Sequence, residues 1–271
     1  MSDKYAVLGN PVKHSISPQI HAEFARQTGQ DISYEKLEVP LDGFAEFIAS
    51  LHKKGYKGMN VTLPFKEQAF QLSESLSAAA EHAGAVNTLI RTPTGWRGDN
   101  TDGVGLVRDL TKNLSIKLKQ KKILILGAGG AVRGVLEPIL REGPEHIHIA
   151  NRTAEKAIAL AEKFKQLGTV IGTGLDGSFE DPYDLIINGT AASIKGIVPT
   201  IPDGLLKPDG AAYDMFYAKE PTAFVEWAKQ QGAAIATDGF GMLIEQAAES
   251  FYLWRLKRPD TKKLLNQFLT N

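Results

Sequence analysis

The stretch from Lys122 to Leu140, KILILGAGGAVRGVLEPIL, constrains the possible folds of this chain more than any other part of it. It opens with a short, continuous apolar run at 123–126, which is typical of a strand buried on both faces of a parallel sheet. Glycine-rich sequence follows at once, and from Val132 onward apolar residues recur at the spacing of one helix face. A strand, a glycine turn and a helix in this order predict a dinucleotide-binding turn.

The turn itself is Gly127-Ala128-Gly129-Gly130-Ala131, and these residues are candidate cofactor ligands. Glycine lets the backbone turn tightly and come close to a pyrophosphate, and the first free N–H groups of the following helix then face the phosphate oxygens. A strict pattern would place a further glycine where Val132 stands. The same residues therefore also fit an ordinary turn between a strand and a helix.

The next predicted strand, His146 to Ala150, ends in Asn151-Arg152-Thr153. NAD-binding units usually carry an Asp or Glu about 20 residues after the turn, where it binds the ribose hydroxyls. An arginine there suits a 2′-phosphate, because a guanidinium can donate two charge-assisted hydrogen bonds to it, and Lys156 adds charge one helical turn later. We therefore expect NADP rather than NAD. The simpler interpretation is an exposed arginine beside a helix-capping Thr153.

Composition limits the other classes of function. The 271 residues are 43% hydrophobic and 23% charged with a formal net charge of zero, as in a globular protein of one or two domains. The sequence has no basic stripe that would indicate a nucleic acid partner. It also has no polybasic amphipathic segment that would indicate binding to a membrane surface. The absence of cysteine excludes disulfides, thiolate metal sites and cysteine nucleophiles. A strand begins almost at the N-terminus and no apolar run approaches ~18 residues, so we expect a cytoplasmic protein without a signal peptide.

The first hundred residues alternate predicted strands and helices, which indicates an α/β domain. Ser17 is predicted as the N-cap of the first helix, with Pro18 in its first turn, and Asp42 as the N-cap of the second. Residues 85–91 are predicted as one strand. Residues 103–114 are predicted as a helix that joins this domain to the one containing the glycine turn.

Polar side chains cluster where predicted strands of the first domain end. Because ligands of open α/β sheets bind at strand ends, these side chains are predicted to converge on one pocket. Hydroxyls, amides, a lysine and a carboxylate suit a small, polyhydroxylated, anionic ligand, and no His/Asp/Glu set has the spacing of a metal site. Two simpler interpretations stay open, namely Lys66 as a solvated lysine at a helix start and Asp102 as a helix N-cap. The clusters are Ser15 with Ser17, Asn60 with Thr62 and Lys66, Asn87, and Asn100 with Asp102.

Short motifs in one order along most of the chain resemble the shikimate dehydrogenases, the NADP-dependent enzymes of aromatic amino-acid biosynthesis. Any one of them would be weak, but the ordered set is specific. The motifs are HSISP (14–18), NVTLPFK (60–66), GAVNT (84–88), GDNTDG (98–103), GAGGA (127–131), NRT (151–153), NGT (188–190), YDMFY (213–217) and GMLIEQA (241–247).

The resemblance implies an oxidoreductase that reversibly reduces 3-dehydroshikimate to shikimate with NADPH. It implies an α/β fold of two domains with the active site in the cleft between them. Residues 1–103 with the C-terminal helices 239–271 would bind substrate, and residues 104–238 would form a Rossmann-like NADP-binding domain. The only implied partner is a small-molecule substrate, bound by a monomer or a homodimer.

The resemblance also implies the role of each site residue. Lys66 and Asp102 match the catalytic pair, and the chemistry agrees: hydride arriving at a carbonyl carbon leaves negative charge on the oxygen, which a positioned, proton-donating cation must meet. The substrate carboxylate would be held by Ser15 and Ser17 with Tyr217 nearby, and the substrate hydroxyls by Asn60, Thr62, Asn87 and Gln246. The pyrophosphate would lie on Gly127, Ala128, Gly129, Gly130 and Ala131, the 2′-phosphate near Asn151, Arg152, Thr153 and Lys156, and the nicotinamide near Met215 and Gly239.

Two departures from the family pattern affect the loops placed near the nicotinamide. Ala191-Ala192 replaces two small polar residues after NGT, and Ala218-Lys219 replaces an Asn-Pro step after Tyr217. Two other functions also stay open, independently of these loops. One is a quinate/shikimate dehydrogenase that prefers NAD, against which Arg152 argues. The other is a non-catalytic NADP-binding sensor on the same fold, which would have no need of Lys66 and Asp102 together.

Overall fold

The computed structural model describes residues 2–179 and 182–269 of the chain. Within this part, the chain forms two compact units. The first combines the residues up to Gly105 with those from Leu243 onward, and the second consists of Leu106–Met242. Among the described residues, each unit has its own six-stranded sheet.

The first unit alternates strands and helices before it ends in a hairpin. Its elements are β1 (Asp3–Gly9), α1 (Ser17–Thr28), β2 (Ile32–Glu38), α2 (Phe44–Lys53), β3 (Gly58–Val61), α3 (Lys66–Leu72), β4 (Ser75–Leu76), α4 (Ala78–Ala83), β5 (Thr88–Arg91), β6 (Trp96–Asp99) and α5 (Asp102–Arg108), whose last turn enters the second unit.

The sheet of the first unit is mixed, in the order β2-β1-β3-β5-β6-β4. Strand β1 runs parallel to β2 and β3, whereas β5 runs antiparallel to β3 and to β6. The start of β5 therefore lies at the same edge of the sheet as the ends of β1, β3 and β6. Every loop that carries a predicted substrate residue between 15 and 102 leaves from or enters this edge.

The second unit consists mainly of alternating strands and helices. After a π-helical turn (Asp109–Asn113) come β7 (Lys122–Leu126), α6 (Gly130–Arg141), β8 (His146–Asn151), α7 (Ala154–Phe164), β9 (Val170–Gly174), β10 (Tyr183–Asn188), a 3₁₀ turn (Ser193–Lys195), β11 (Leu206–Asp214), α8 (Ala223–Gln230), β12 (Ile235–Thr237), α9 (Phe240–Arg255) and α10 (Thr261–Leu269), of which α9 begins in this unit and α10 belongs to the first.

The sheet of the second unit is parallel throughout, in the order β12-β11-β10-β7-β8-β9. The chain builds outward from β7 to β9, returns to the other side of β7 with β10, and builds outward again to β12. This is the strand order of a doubly wound dinucleotide-binding fold, whose ligand site lies where the order reverses. The predicted Rossmann-like architecture is therefore confirmed.

Strand β7 is buried on both faces, as its continuous apolar sequence predicts. Ile123 and Ile125 pack with Val132 and Val135 of α6 in one core cluster. Leu124 and Leu126 point to the opposite face and belong to a second cluster that includes Phe224 of α8. The apolar stripes of helices on both sides thus fix the strand that carries the glycine turn.

Several local predictions are wrong. Ser17 is the first residue of α1 instead of its N-cap, which is Ile16, and Gly43 instead of Asp42 precedes α2. In both cases the helix starts one residue away from the predicted position, earlier in α1 and later in α2. The predicted strand 85–91 begins only at Thr88, and the Val86 N–H before it donates to the carbonyl of Lys66, the first residue of α3.

Other differences follow from long-range pairing. The sequence of residues 66–83 favours helix, but within it the short strand β4 pairs in parallel with β6, and β9, which no local pattern predicts, pairs with β8 along its length. The predicted helix 103–114 is α5 followed by the π-helical turn. The sequence predicts a terminal helix over 261–269, after a polar break at 257–260, and α10 has these bounds. In the described part of the chain, no helix combines the length and the apolarity that crossing a membrane requires.

Candidate active site

Lys66 and Asp102 form an ion pair in the first unit. Lys66 Nζ lies 2.6 Å from Asp102 Oδ2, and the two side chains are 28% and 14% exposed. Each is the first residue of its helix, α3 and α5. Since the Asp102 carboxylate binds side chains, and Asn100 Oδ1 instead accepts the Asp102 N–H at 3.1 Å, Asp102 is not a simple helix cap. The interpretation of Lys66 as a solvated lysine is also wrong, because its ammonium group is paired with the Asp102 carboxylate.

Asn87 holds the other oxygen of that carboxylate. Its Nδ2 donates to Asp102 Oδ1 at 2.8 Å, and its Oδ1 accepts from the backbone N–H of Thr101 at 2.9 Å and from Thr88 Oγ1 at 2.8 Å. Asn87 is only 3% exposed, so its amide has little freedom to rotate away from these partners. The sheet explains the encounter, because the antiparallel β5 starts beside the end of β6 and thereby brings Asn87 to Asp102.

Asn60 lies next to this group at the end of β3. Its Nδ2 donates to Ser250 Oγ at 2.9 Å, and its Oδ1 accepts from the hydroxyl of Tyr34 at 2.7 Å. A further contact from Asn60 Nδ2 to the carbonyl oxygen of Asn87 measures 3.3 Å. The amides of Asn60 and Asn87 are therefore parts of one buried network.

Gln246 reaches the same network from α9. Its Nε2 donates to the carbonyl of Leu243 at 2.9 Å, and its Oε1 lies 3.4 Å from both Asn87 Nδ2 and Thr101 Oγ1. The side chain is half-buried, so it satisfies a backbone group and still lies beside Asn87, which binds Asp102.

The serine pair lies at the start of α1. Ser15 Oγ is 3.1 Å from Ser17 Oγ and accepts a bond from the Ser17 N–H at 3.3 Å. Two hydroxyls at a helix start, where the helix dipole is positive, suit a carboxylate ligand. Thr62 follows β3, and its N–H donates to the carbonyl of Leu8 at 2.9 Å, which fixes that loop against β1.

The glycine turn of the second unit has the backbone that its sequence predicts. Gly127 has a φ of +107°, a conformation that side-chain-bearing residues rarely adopt, and Gly129 is the N-cap of α6. Among the described residues, no heavy atom lies within 4 Å of a Cβ built on Gly129, and Gly129, Gly130 and Ala131 are all exposed. This open cradle at a helix N-terminus fits a pyrophosphate.

A close packing contact explains why Val132 replaces the expected glycine. Val132 is fully buried in α6, and its Cγ2 would lie 2.5 Å from a Cβ built on Gly189. The third glycine of the fingerprint normally allows close packing between helix and strand. Here Gly189, which follows β10, supplies the missing space from the other side of the contact.

A cavity of about 1210 Å³ adjoins the turn. Asn151, Arg152, Thr153 and Lys156 line it at the end of β8, so the structure brings the predicted phosphate ligands together with the turn. Arg152, Thr153 and Lys156 are exposed. Asp176 also lines the cavity, but it follows β9 and not β8, where NAD-binding units carry their acid. The donor set therefore fits NADP.

Met215 and Gly239 lie next to each other just after the ends of β11 and β12. A Cβ on Gly239 would lie 2.5 Å from the carbonyl oxygen of Met215, so the backbone approach requires glycine. Asp214, which is fully buried, fixes the two neighbouring loops because it accepts from Asn188 Nδ2 at 3.1 Å and from Thr222 Oγ1 at 2.7 Å.

Tyr217 lies in the second unit, unlike the other predicted substrate residues. Its ring packs edge-on against Phe240 at 6.2 Å. Burial raises the pKa of its hydroxyl, and the charge of Asp238 adds to that effect. Tyr217 therefore stays protonated and can donate a hydrogen bond.

Sequence reasoning missed four side chains that complete the polar network. Ser250 had a usable signal, because it stands four residues after Gln246 and thus on the same face of α9. The contacts of the other three depend on strand pairing that no local pattern reveals. The four are Tyr34, Thr88, Thr101 and Ser250.

Comparison with known families covers most of the chain. Residues 7–89 match the shikimate dehydrogenase substrate binding domain, residues 109–196 match shikimate / quinate 5-dehydrogenase, and residues 239–267 match the shikimate 5′-dehydrogenase C-terminal domain.

Individual proteins agree with these families. The chain is 51% identical over 265 residues to a protein of Alkalilimnicola ehrlichii named shikimate dehydrogenase (NADP(+)), with 98% of each chain covered. The crystal structure of an Ael1 enzyme from Pseudomonas putida has a TM-score of 0.93 at 41% identity, covering 98% of each chain. Shikimate 5-dehydrogenase from Thermus thermophilus, solved in complex with NADP(H) and shikimate, has a TM-score of 0.85 at 35% identity, covering 96% of each chain.

Proposed function

The chain belongs to the shikimate dehydrogenase family, and we propose that it catalyses the reversible NADPH-dependent reduction of 3-dehydroshikimate to shikimate. The observation that carries the proposal is the Lys66–Asp102 pair, held by Asn87 at the edge of a sheet where hydroxyl and amide side chains converge. These side chains can donate a proton to a ketone oxygen and can form hydrogen bonds with neighbouring hydroxyls and a carboxylate of the substrate. A binding protein without turnover has no use for a proton donor paired in this way.

Lys66 is the proton donor in this proposal. As hydride reaches the ketone carbon, negative charge develops on the oxygen, and the Lys66 ammonium stabilises that charge and then transfers a proton to it. In the reverse direction Lys66 takes the hydroxyl proton. Asp102 orients the ammonium through the 2.6 Å contact and accepts a hydrogen bond from a neighbouring substrate hydroxyl.

The substrate ligands divide by chemistry. Ser15 and Ser17 bind the carboxylate with their hydroxyls at the start of α1, where the helix dipole is positive. Tyr217 donates a further hydrogen bond to that group. The remaining ligands bind hydroxyls, and they are Asn60, Thr62, Asn87 and Gln246.

The second unit binds NADP, which supplies the hydride when bound. The backbone of Gly127, Gly129 and Gly130 approaches the pyrophosphate, with Ala128 and Ala131 completing the turn. Arg152 and Lys156 bind the 2′-phosphate, assisted by Asn151 and Thr153. Met215 and Gly239 shape the nicotinamide end, where their close contact leaves no room for a side chain at 239.

These roles assign substrate binding and cofactor binding to different parts of the chain. We propose residues 1–103 with 239–271 as the substrate part and residues 104–238 as the cofactor part. The cytoplasmic location and the monomeric or homodimeric state stay predictions from the sequence.

The direct test is absorbance of the reduced nicotinamide after mixing the protein with shikimate or quinate, each with NADP or NAD. We expect rapid NADP reduction with shikimate. Comparable rates with quinate or with NAD would assign the protein to the quinate/shikimate dehydrogenases, and comparable rates with NAD would also contradict the role of Arg152. Cofactor binding without turnover in any combination would instead support the sensor.

A further inference from the structure

Ser250 of α9 lies at the centre of the polar network that holds the catalytic pair. It is fully buried, and its Oγ lies 2.9 Å from Asn60 Nδ2, 2.8 Å from Thr88 Oγ1 and 3.2 Å from Thr101 Oγ1. We infer that Ser250 is a positioning residue that fixes the amide orientations of Asn60 and Asn87, and through Asn87 the carboxylate of Asp102. The inference rests on the function proposed above.

The hydrogen bonds have one consistent direction. Thr88 has a single hydroxyl proton, which it donates to Asn87 Oδ1 at 2.8 Å. Ser250 is therefore the donor in its contact with Thr88, and its oxygen accepts from Asn60 Nδ2. Asn87 Nδ2 in turn donates to Asp102 Oδ1, while Lys66 binds Oδ2. A donor chain thus runs from Asn60 through Ser250, Thr88 and Asn87 to Asp102, and each bond polarises the next.

A serine inside a helix commonly donates a hydrogen bond to a carbonyl of its own helix, and Ser250 has such a carbonyl within reach. Ser250 Oγ lies 3.1 Å from the carbonyl oxygen of Gln246, which is longer than its 2.8 Å contact with Thr88. The shorter contact is the one that joins α9 to β5. Among the described residues, loss of the hydroxyl leaves the Asn60 donor with two 3.3 Å contacts, to the Asn87 carbonyl and to Thr88.

Kinetics of three variants test the positioning role. Ser250→Ala is expected to lower kcat for shikimate oxidation about 3- to 10-fold, as for the loss of one hydrogen bond in a shared network, and to raise the KM for shikimate. The dissociation constant of NADP should not change. Thr88→Val, which keeps the shape and removes the hydroxyl, should have a similar effect. Since both residues act on Asn87, the double variant should lose little more than either single variant.

Ser50→Ala is the matched control. Ser50 also lies in a helix of the first unit and donates to its own helix, with Oγ 2.7 Å from the carbonyl of Phe47. Its substitution removes the same kind of backbone contact without touching the network, so kcat should stay at the wild-type value. An equal loss in both variants would reduce Ser250 to a helix contact and overturn the inference.

Side-chain amide resonances provide a readout that needs no turnover. In the wild-type protein, the ¹H–¹⁵N signals of the Asn60 and Asn87 side chains, assigned by Asn→Asp substitution, should exchange slowly with solvent. Ser250→Ala should shift both pairs and accelerate their exchange, whereas Ser50→Ala should not. Unchanged amide signals, or losses that multiply in the double variant, would overturn the inference. A wild-type protein that shows the protected amides without oxidising shikimate would refute the proposed function and leave the positioning role supported.

Discussion

Val132 and Gly189 meet so closely that a single methyl group added at position 189 would lie 2.5 Å from Val132 Cγ2. Val132 is fully buried in the helix that begins at the glycine turn, and Gly189 follows the neighbouring strand β10. The contact therefore sets the distance between α6 and the sheet, and with it the position of the N–H groups that face a pyrophosphate. Substitution of either residue should therefore change both the free energy of unfolding and the affinity for NADP.

Gly189→Ala should destabilise the protein by about 1–3 kcal/mol, because a methyl group in a fully packed contact forces neighbouring atoms apart. Urea unfolding measures this change, and titration with NADP should show weaker binding. Val132→Ala restores the space, so the double variant Val132→Ala/Gly189→Ala should be more stable than the sum of the single effects predicts. Strictly additive effects would show that the two residues do not share the contact.

Gly129→Ala should separate binding from stability. Its φ of −86° is accessible to alanine, and among the described residues no heavy atom lies within 4 Å of the new Cβ. The free energy of unfolding should therefore change by less than about 0.5 kcal/mol. NADP binding should weaken at least tenfold, because the methyl group stands where the backbone must approach the phosphates. Unchanged affinity would exclude this turn as the pyrophosphate site.

The glycine turn illustrates how much of this molecule could be predicted from sequence. Buried strand, turn and helix are encoded within the span 122–140, so their order and their ligand class could be predicted from local pattern alone. The same holds for α10, whose bounds follow from local periodicity. The substitution of glycine by Val132 could not be understood that way, because its partner Gly189 stands 57 positions further along the chain.

The polar site shows the same limit in another form. Lys66, Asp102 and Asn87 could be singled out by residue type and by family motifs, but neither their contacts nor their order around the carboxylate follow from the sequence. Those depend on the antiparallel direction of β5, which brings the start of one strand to the end of another. Tyr34 was missed because it reaches Asn60 from β2, which lies two strands away from β3 in the sheet.

Lys66→Ala should lower kcat at least ~10²-fold with little change in the KM for shikimate, because the side chain acts on charge that develops only in the transition state. Steady-state assays in both directions provide the measurement. Lys53→Ala, at an exposed lysine of α2 in the same unit, is the control and should retain wild-type turnover. Near wild-type turnover of Lys66→Ala would remove Lys66 from the mechanism.

Arg152→Ala should reduce the affinity for NADP about tenfold or more and leave NAD binding almost unchanged, since the loss is confined to charge-assisted bonds with the 2′-phosphate. The ratio of kcat/KM for the two cofactors measures the effect. Lys229→Ala, at an exposed lysine of α8 in the same unit, removes one positive charge away from the cavity and should not alter the ratio. A parallel loss with NADP and NAD would assign Arg152 to a part of the cofactor that both share.

The free energy of unfolding should decrease as the pH falls, and His148 should account for a measurable part of this decrease. Its ring nitrogens lie 2.6 Å from the Tyr183 hydroxyl and 2.7 Å from Thr173 Oγ1, and it is 3% exposed. Burial lowers the pKa of His148 from its usual 6.5 to about 4, with a smaller contribution from the charge of His146. Between these two values the unfolded chain binds a proton that the folded protein does not.

The sign follows from linkage: the free energy of unfolding decreases as pH falls from about 6.5 towards 4, by up to about 1.4 kcal/mol per pH unit for this one proton. His21, whose pKa burial lowers to about 3, adds a similar slope in the first unit, so the difference between proteins is the quantity to measure. Urea unfolding of His148→Gln at pH 7, 6 and 5 should show a slope smaller than that of the wild type, and between pH 6 and 5 the difference should approach one proton. Identical slopes would mean that His148 is protonated in the folded protein as readily as in the unfolded chain, and its two hydrogen bonds would then need a charged donor ring.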